Sequence, residues 1–328
     1  MITNLLASLP PLAGGAFLRA DPSPVPLGIL GATVALYVWG AIRNDRLHPR
    51  HRWPLWRTAA FVTAAVITGF ATSSFLDVYA TVLFWDHMTQ HLVLIMVASP
   101  LFAASSPIAL AWRASTGPVH ELLGRALRSL PGRALGHPIT AFALYAVVIP
   151  VCHLTAFFNW AVQYGQADDL EHLLFIATGY MFWRQIFGID PNRYRAVPPV
   201  RALVLFLALP VDTFVGLTLD SETHEIFPAL AAAHRTWGPS LVADLHAGGV
   251  IMWVGGDVLM MLALIPVVVE WVRKEERRAR RADRELAPWF PAQETILGQP
   301  TAGFALGSHR LPETPSGEST TRARRGGA

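Results

Sequence analysis

The sequence predicts an all-α membrane protein, a bundle of about seven transmembrane helices with its N-terminus outside and its C-terminus in the cytoplasm. Three observations predict it. Only 15% of residues are charged against 52% hydrophobic, where a soluble domain carries about 25% charge. The apolar residues fall in long runs and not in an amphipathic 3.6-residue pattern, and the mean hydropathy is +0.37, so lipid is the expected solvent for much of the chain. Finally, arginine alternates from one connecting segment to the next.

A membrane span needs about 20 mostly apolar residues. Candidate stretches lie at roughly 25–42, 57–75, 88–112, 139–160, 170–188, 201–219 and 246–271. Pro100, Pro107, Pro150, Pro210 and Pro266 interrupt several of them, which a bundle tolerates because neighbouring helices satisfy the freed carbonyls. Span three opens on WDHMTQH, span four carries His153 in its last third, and His172 opens span five. Span six contains Asp212 in LPVDTFVG; span seven opens with His246 and holds Asp257 near its middle. The segment 1–24 is expected outside the cell and the domain 25–275 in the bilayer. Residues 276–328 form a cytoplasmic tail, basic at first and, from about 286, rich in Pro, Gly, Ser and Thr and expected to be disordered. No cleavable signal peptide is expected in residues 1–20, which lack a basic n-region and contain Pro10 and Pro11.

Charge orients the bundle. Arg43, Arg46, Arg50, Arg52 and Arg57 follow span one; Arg113, Arg125, Arg128 and Arg133 follow span three; Arg184, Arg193, Arg195 and Arg201 flank the end of span five. Span seven is followed by RKEERRARR (273–281) and Arg284, while the other side has only Arg19 and Arg235. The positive-inside rule puts the first set in the cytoplasm. The other segments are acidic, with Asp77, Asp86, Asp168, Asp169, Glu171, Asp220, Glu222, Glu225 and Asp244. RKEERRARR reads as a continuation of helix seven resting near anionic headgroups, with a docking site for a cytoplasmic partner as the alternative. No nucleic-acid partner is expected, and the single cysteine, Cys152, excludes an intrachain disulfide framework.

The twelve histidines are the chemical signal. His87 and His91 are spaced i, i+4, which puts both imidazoles on one helix face about 6 Å apart along the axis. With His153, His172 and His246 they lie at similar depth near the outer interface, on four spans. Ionisable groups inside a membrane are costly, tend to face the bundle interior and mark function. Imidazole ligates copper, zinc, iron and haem; Met88, Met96 and Met252 are candidate thioethers for Cu(I). Cys152 adjoins His153, but neighbours on a helix point about 100° apart, so it is not counted as a ligand. His224 and His234, on a long loop, read as ordinary loop residues. Asp257 reads equally as a proton relay or as the partner of a hydroxyl on a facing helix. Gly248, Gly249, Gly255 and Gly256 read as close helix packing; Trp85, Trp160 and Trp237 read as an interfacial belt.

The order and spacing of several segments carry a family resemblance over most of residues 20–275: DPSPVPLGILGATVALYVWG at span one, WDHMTQHLVLIMVASPLFAASSPIAL at span three, EHLLFIATGYMFW then DPNR at span five, and DLHAGGVIMWVGGD at span seven. The chain resembles the seven-span CtaG-type assembly factors for haem–copper cytochrome c oxidase of Gram-positive bacteria. That resemblance implies a chaperone-like role in the bacterial plasma membrane, with oxidase subunits and copper ions as partners and no catalytic residues. It implies a metal site at His87, His91, His153 and His172, with His246 and Asp244 where the span-seven motif falls. Two alternatives compete. A copper or proton transporter would use Asp212 and Asp257 at the midplane, against a scarcity of polar residues in the inner halves of the spans. A bis-histidine haem protein would use His153 and His172. A retinal Schiff base is a poor fit, because Lys274, the only lysine, lies beyond the last span.

Overall fold

A computed structural model describes residues 9–187 and 196–286. Among them there is no strand. After a 3₁₀ turn at Gly14–Leu18 come α1 (Pro24–Leu47), α2 (Leu55–Ala71), α3 (Phe75–Ala80) and the long, irregular α4 (Phe84–Ala114). Next are α5 (Gly117–Arg128), α6 (Leu130–Leu135), α7 (Pro138–Leu154), α8 (Phe157–Gln163) and α9 (Gly165–Phe187). The chain ends its described part with α10 (Pro198–Asp220), α11 (Pro228–Ala231) and α12 (Leu241–Glu285). It divides into two units, Met1–Glu276, which contains everything discussed below, and Arg277–Ala328, whose described residues are helical. The expected tail disorder, the DPNR motif, Arg193, Arg195 and His309 lie outside the described residues.

All seven apolar stretches fall on helices. Four of these, α1, α4, α10 and α12, are long and apolar enough to cross a membrane, and α7–α8 makes a fifth if the bent pair crosses as one. Helix α2 is apolar but only 17 residues long, and α9 carries acids in its opening turns. The expected single span at 139–160 is broken: α7 and α8 meet at 67°. Thr155, in an extended conformation, ends α7. Its hydroxyl donates to the Val151 carbonyl at 2.6 Å and accepts from the Phe157 N–H at 3.2 Å, so the side chain replaces the helical bonds the break removes.

Prolines start helices where their missing N–H costs nothing: Pro24, Pro138 and Pro198 open α1, α7 and α10. Helix α4 is the packing centre, touching α1, α2, α9 and α12. A π-helical turn at Leu94–Ala98 interrupts it just after His91. The carbonyls displaced there find new donors: Ser99 Oγ donates to Leu94 O at 2.8 Å, and Trp183 Nε1 of α9 to Ile95 O at 2.8 Å. Helix α12 has a similar turn at Ile251–Gly255. Such turns recur at functional sites.

The distribution of polarity is inverted relative to a soluble protein. Leu36, Val66, Phe206, Phe214 and Ile265 stand more than half exposed, while Asp86, His87, Gln90, His91, Glu171 and Asp244 are buried. Apolar exteriors around a polar interior suit a lipid solvent. Glycines let the helices that carry the polar groups come close. A methyl at Gly179 of α9 would lie 2.6 Å from Ser99 Oγ of α4; one at Gly248 of α12 would overlap the Phe84 ring. Small residues at such crossings are how membrane helices approach.

Candidate metal centre

The cluster starts from the first turn of α4. The Phe84 and Trp85 N–H groups both donate to the Asp244 carboxylate at 3.0 Å, which caps the helix as an anion at its N-terminus. Arg235 holds the same carboxylate at 3.1 Å. This anchor sets where His87 and His91 stand, one turn apart, with ring centroids 4.1 Å apart.

Helix α9 brings Glu171 to them. Its Oε2 lies 3.5 Å from His87 Nε2 and 3.7 Å from His91 Nε2. One ligand atom from each of the three residues lies within 4.8 Å of the other two, and all three residues are at most 2% exposed. Those two nitrogens and both Glu171 oxygens have no hydrogen-bond partner among the described residues. Leaving a buried polar group unpaired costs about 1–3 kcal/mol, more if charged. The separations are too long for hydrogen bonds. They are close to the spacing of two ligands on one ion: bonds of about 2.0–2.1 Å put tetrahedral or trigonal ligand atoms about 3.3–3.6 Å apart. Two imidazoles and a carboxylate are a known donor set for a divalent transition metal, so the residues fit a metal ion.

A chain of hydrogen bonds prepares one of the ligands. His153 Nδ1 sits 2.8 Å from the Ile149 carbonyl, which only accepts, so that nitrogen carries the proton. In the neutral ring His153 Nε2 is then an acceptor, and His91 Nδ1, 3.2 Å away, must donate to it. The His91 proton is thereby fixed on Nδ1, leaving an Nε2 lone pair facing Glu171. This is the outer-shell arrangement that orients metal-binding histidines. Cys152 lies beside Glu171 with its thiol buried.

Of the six residues singled out from the sequence, the structure brings His87 and His91 together with Glu171. His153 stands directly behind them with both nitrogens engaged. His172 lies to the side, its ring 6.0 Å from that of His91. Two stand apart: Asp244 is committed to its cap and to Arg235, and His246 Nε2 donates to the Glu222 carbonyl at 2.7 Å. Glu171 was not singled out, though a signal was available. Ala167, Glu171, Phe175, Thr178 and Phe182 are all buried, and their four- and three-residue spacing marks one inward face with Glu171 on it.

Below the cluster lies a cavity of about 20 Å³, room for one water-sized occupant. His91, His153, Met88, Met96 and Met252 line it, with Tyr145 and Asp212 at its floor. Tyr145 donates to Asp212, its hydroxyl 2.8 and 2.7 Å from the two carboxylate oxygens. Asp257 accepts from Thr213 Oγ1 at 2.9 Å, the facing-helix hydroxyl of the two roles open to it. On α3, outside the spans, burial pushes the Asp77 carboxyl up to about 6.

Fold and site together define a helical membrane protein with a buried histidine–carboxylate cluster at one end of its helices. The chain belongs to the cytochrome c oxidase caa3 assembly factor family (Caa3_CtaG), whose model matches residues 35–274. Among curated proteins it is 30% identical over 269 residues to the uncharacterized protein ML1998 of Mycobacterium leprae, covering 78% of this chain and 40% of that one. It is also 30% identical over 240 residues to the uncharacterized protein Mb0105 of Mycobacterium bovis, covering 71% and 36%. The chain thus spans about two fifths of the length of these relatives. No solved structure matches it.

Proposed function

We propose that this protein helps assemble a caa3-type cytochrome c oxidase by holding a copper ion, as cargo, between His87, His91 and Glu171. The observation that carries this reading is the set of unpartnered buried atoms: two imidazole nitrogens and a carboxylate at ligand-to-ligand separations. Copper is favoured over other divalent cations because affinity at imidazole and carboxylate ligands peaks at Cu²⁺. The family membership supports the oxidase as the destination. The protein crosses the plasma membrane about seven times, with the bent pair α7–α8, α2 and α9 completing the four helices of spanning character. The arginine-rich segments lie in the cytoplasm and the buried cluster lies toward the outer end of the helices. His153 fixes the His91 tautomer, and Glu171 supplies the negative charge that a bound cation needs inside a bilayer.

Deleting the gene is expected to lower oxidase activity and the copper content of the oxidase; normal oxidase in the deletion strain would sink the proposal. Metal analysis of the detergent-purified protein is expected to find copper in the wild type and one equivalent fewer in the His87→Ala, His91→Ala double variant. An optical spectrum on the same sample addresses the haem alternative, since a Soret band would favour that reading.

A further inference from the structure

A second group of ligating side chains lies beside the first. Asp168 and His172 are one turn apart on α9, with His172 Nδ1 3.6 Å from Asp168 Oδ2. Asp77 comes from α3, held by the amide of Gln90, whose Nε2 donates to Asp77 Oδ1 at 2.9 Å. One ligand atom from each of Asp77, Asp168 and His172 lies within 4.8 Å of the other two. His172 is only 5% exposed, and its Nε2 has no hydrogen-bond partner among the described residues. The 3.6 Å separation again exceeds a hydrogen bond.

Consecutive residues link the two groups. On α4, Gln90 steadies one while His91 serves the other; on α9, His172 belongs to one and Glu171 to the other. Neighbours on a helix point about 100° apart, so the two clusters stand side by side. They differ in access and in chemistry. His87, His91 and Glu171 are all buried, whereas Asp77 and Asp168 are partly exposed. Two carboxylates and one imidazole favour harder or borderline divalent ions over Cu(I).

We propose that Asp77, Asp168 and His172 form a second, solvent-accessible binding site for a borderline divalent cation such as Cu²⁺ or Zn²⁺. The site captures the ion and passes it, without change of oxidation state, to the buried cluster. The handover rests on the reading of the buried cluster given above; the binding does not.

Cu²⁺ is titrated into the full-length protein in detergent, with stoichiometry read by equilibrium dialysis and coordination by electron paramagnetic resonance. The wild type is expected to bind two equivalents with two distinct spectra. Asp77→Asn, Asp168→Asn is expected to keep one, coupled to two nitrogens; His87→Ala, Glu171→Gln is expected to keep one, coupled to a single nitrogen. A wild-type stoichiometry of one, unchanged by the first variant and abolished by the second, overturns the second site and leaves the proposed function standing. The reverse result overturns the buried-cluster reading alone. Should the first variant fail to fold in a thermal melt, the wild-type spectra decide: a single copper species at saturation overturns the proposal.

Discussion

Two groups of buried polar residues, only a cavity apart, are treated oppositely by this fold. In the cluster of His87, His91 and Glu171, two imidazole nitrogens and both carboxylate oxygens are left without hydrogen-bond partners. Around α10 most of the polar atoms have partners, Arg201 Nε and Asp257 Oδ1 being exceptions. Tyr145 donates to Asp212, Thr213 to Asp257, and Arg201 to the Ile186 carbonyl and the Glu270 carboxylate. Polar groups that hold membrane helices together are satisfied within the protein. Groups that remain unsatisfied there are costly, and a cation between them removes the cost. Neutralising an unpartnered group in the first region should therefore change metal binding and spare stability; substitutions in the second should do the reverse.

The largest effect is expected at the ligands themselves. His87→Ala with His91→Ala, or Glu171→Gln alone, should abolish binding of the buried copper equivalent. Stability of the metal-free protein should hold or rise for Glu171→Gln, which neutralises a carboxylate that lacks a partner, whereas the histidine variant loses the His91–His153 hydrogen bond and should melt lower. Equilibrium dialysis and thermal unfolding of the same preparations measure the two quantities. A Glu171→Gln variant that loses the metal only because it melts at lower temperature would erase the contrast.

Next in size is His153→Leu. It removes the acceptor that keeps the His91 proton on Nδ1, and loss of such an outer-shell partner typically lowers metal affinity about 10–100-fold. A competition titration against a chelator of known affinity reads this directly. Affinity equal to the wild type would mean that the hydrogen bond from His91 to His153 does not set the tautomer.

The contrast also explains what could be read from the sequence. Long apolar runs marked all seven stretches because burial in lipid acts on many residues at once. The pair His87/His91 was visible because helix geometry alone puts i, i+4 residues on one face. Glu171 was harder to see, because its role depends on which face of α9 meets α4, a tertiary fact hinted at only by the spacing of Ala167, Phe175 and Phe182. Asp244 and His246 were legible as polar groups at a helix start but not as a cap and a carbonyl's donor. Their partners, the Phe84 and Trp85 N–H groups and the Glu222 carbonyl, lie far off in the chain or are backbone atoms that no motif names. The break between α7 and α8 turns on the hydroxyl of Thr155, which hydropathy ignores.

The smallest effects are expected in the satisfied region, and their order tests whether satisfaction is what matters there. Tyr145→Phe strands Asp212, which is 3% exposed, and should cost about 1–3 kcal/mol. Thr213→Val removes a donor to Asp257, which is only partly buried, so water or a headgroup can replace the bond; about 0.5–1 kcal/mol is expected. For a domain of roughly 150–250 residues each kcal/mol moves Tm by about 2–4 °C, so the two should separate in a thermal scan in detergent. Copper affinity should stay at the wild-type value in both. If Thr213→Val instead weakens copper binding while leaving Tm unchanged, the Asp257 pair belongs functionally to the histidine cluster, and the boundary between the two regions has been drawn in the wrong place.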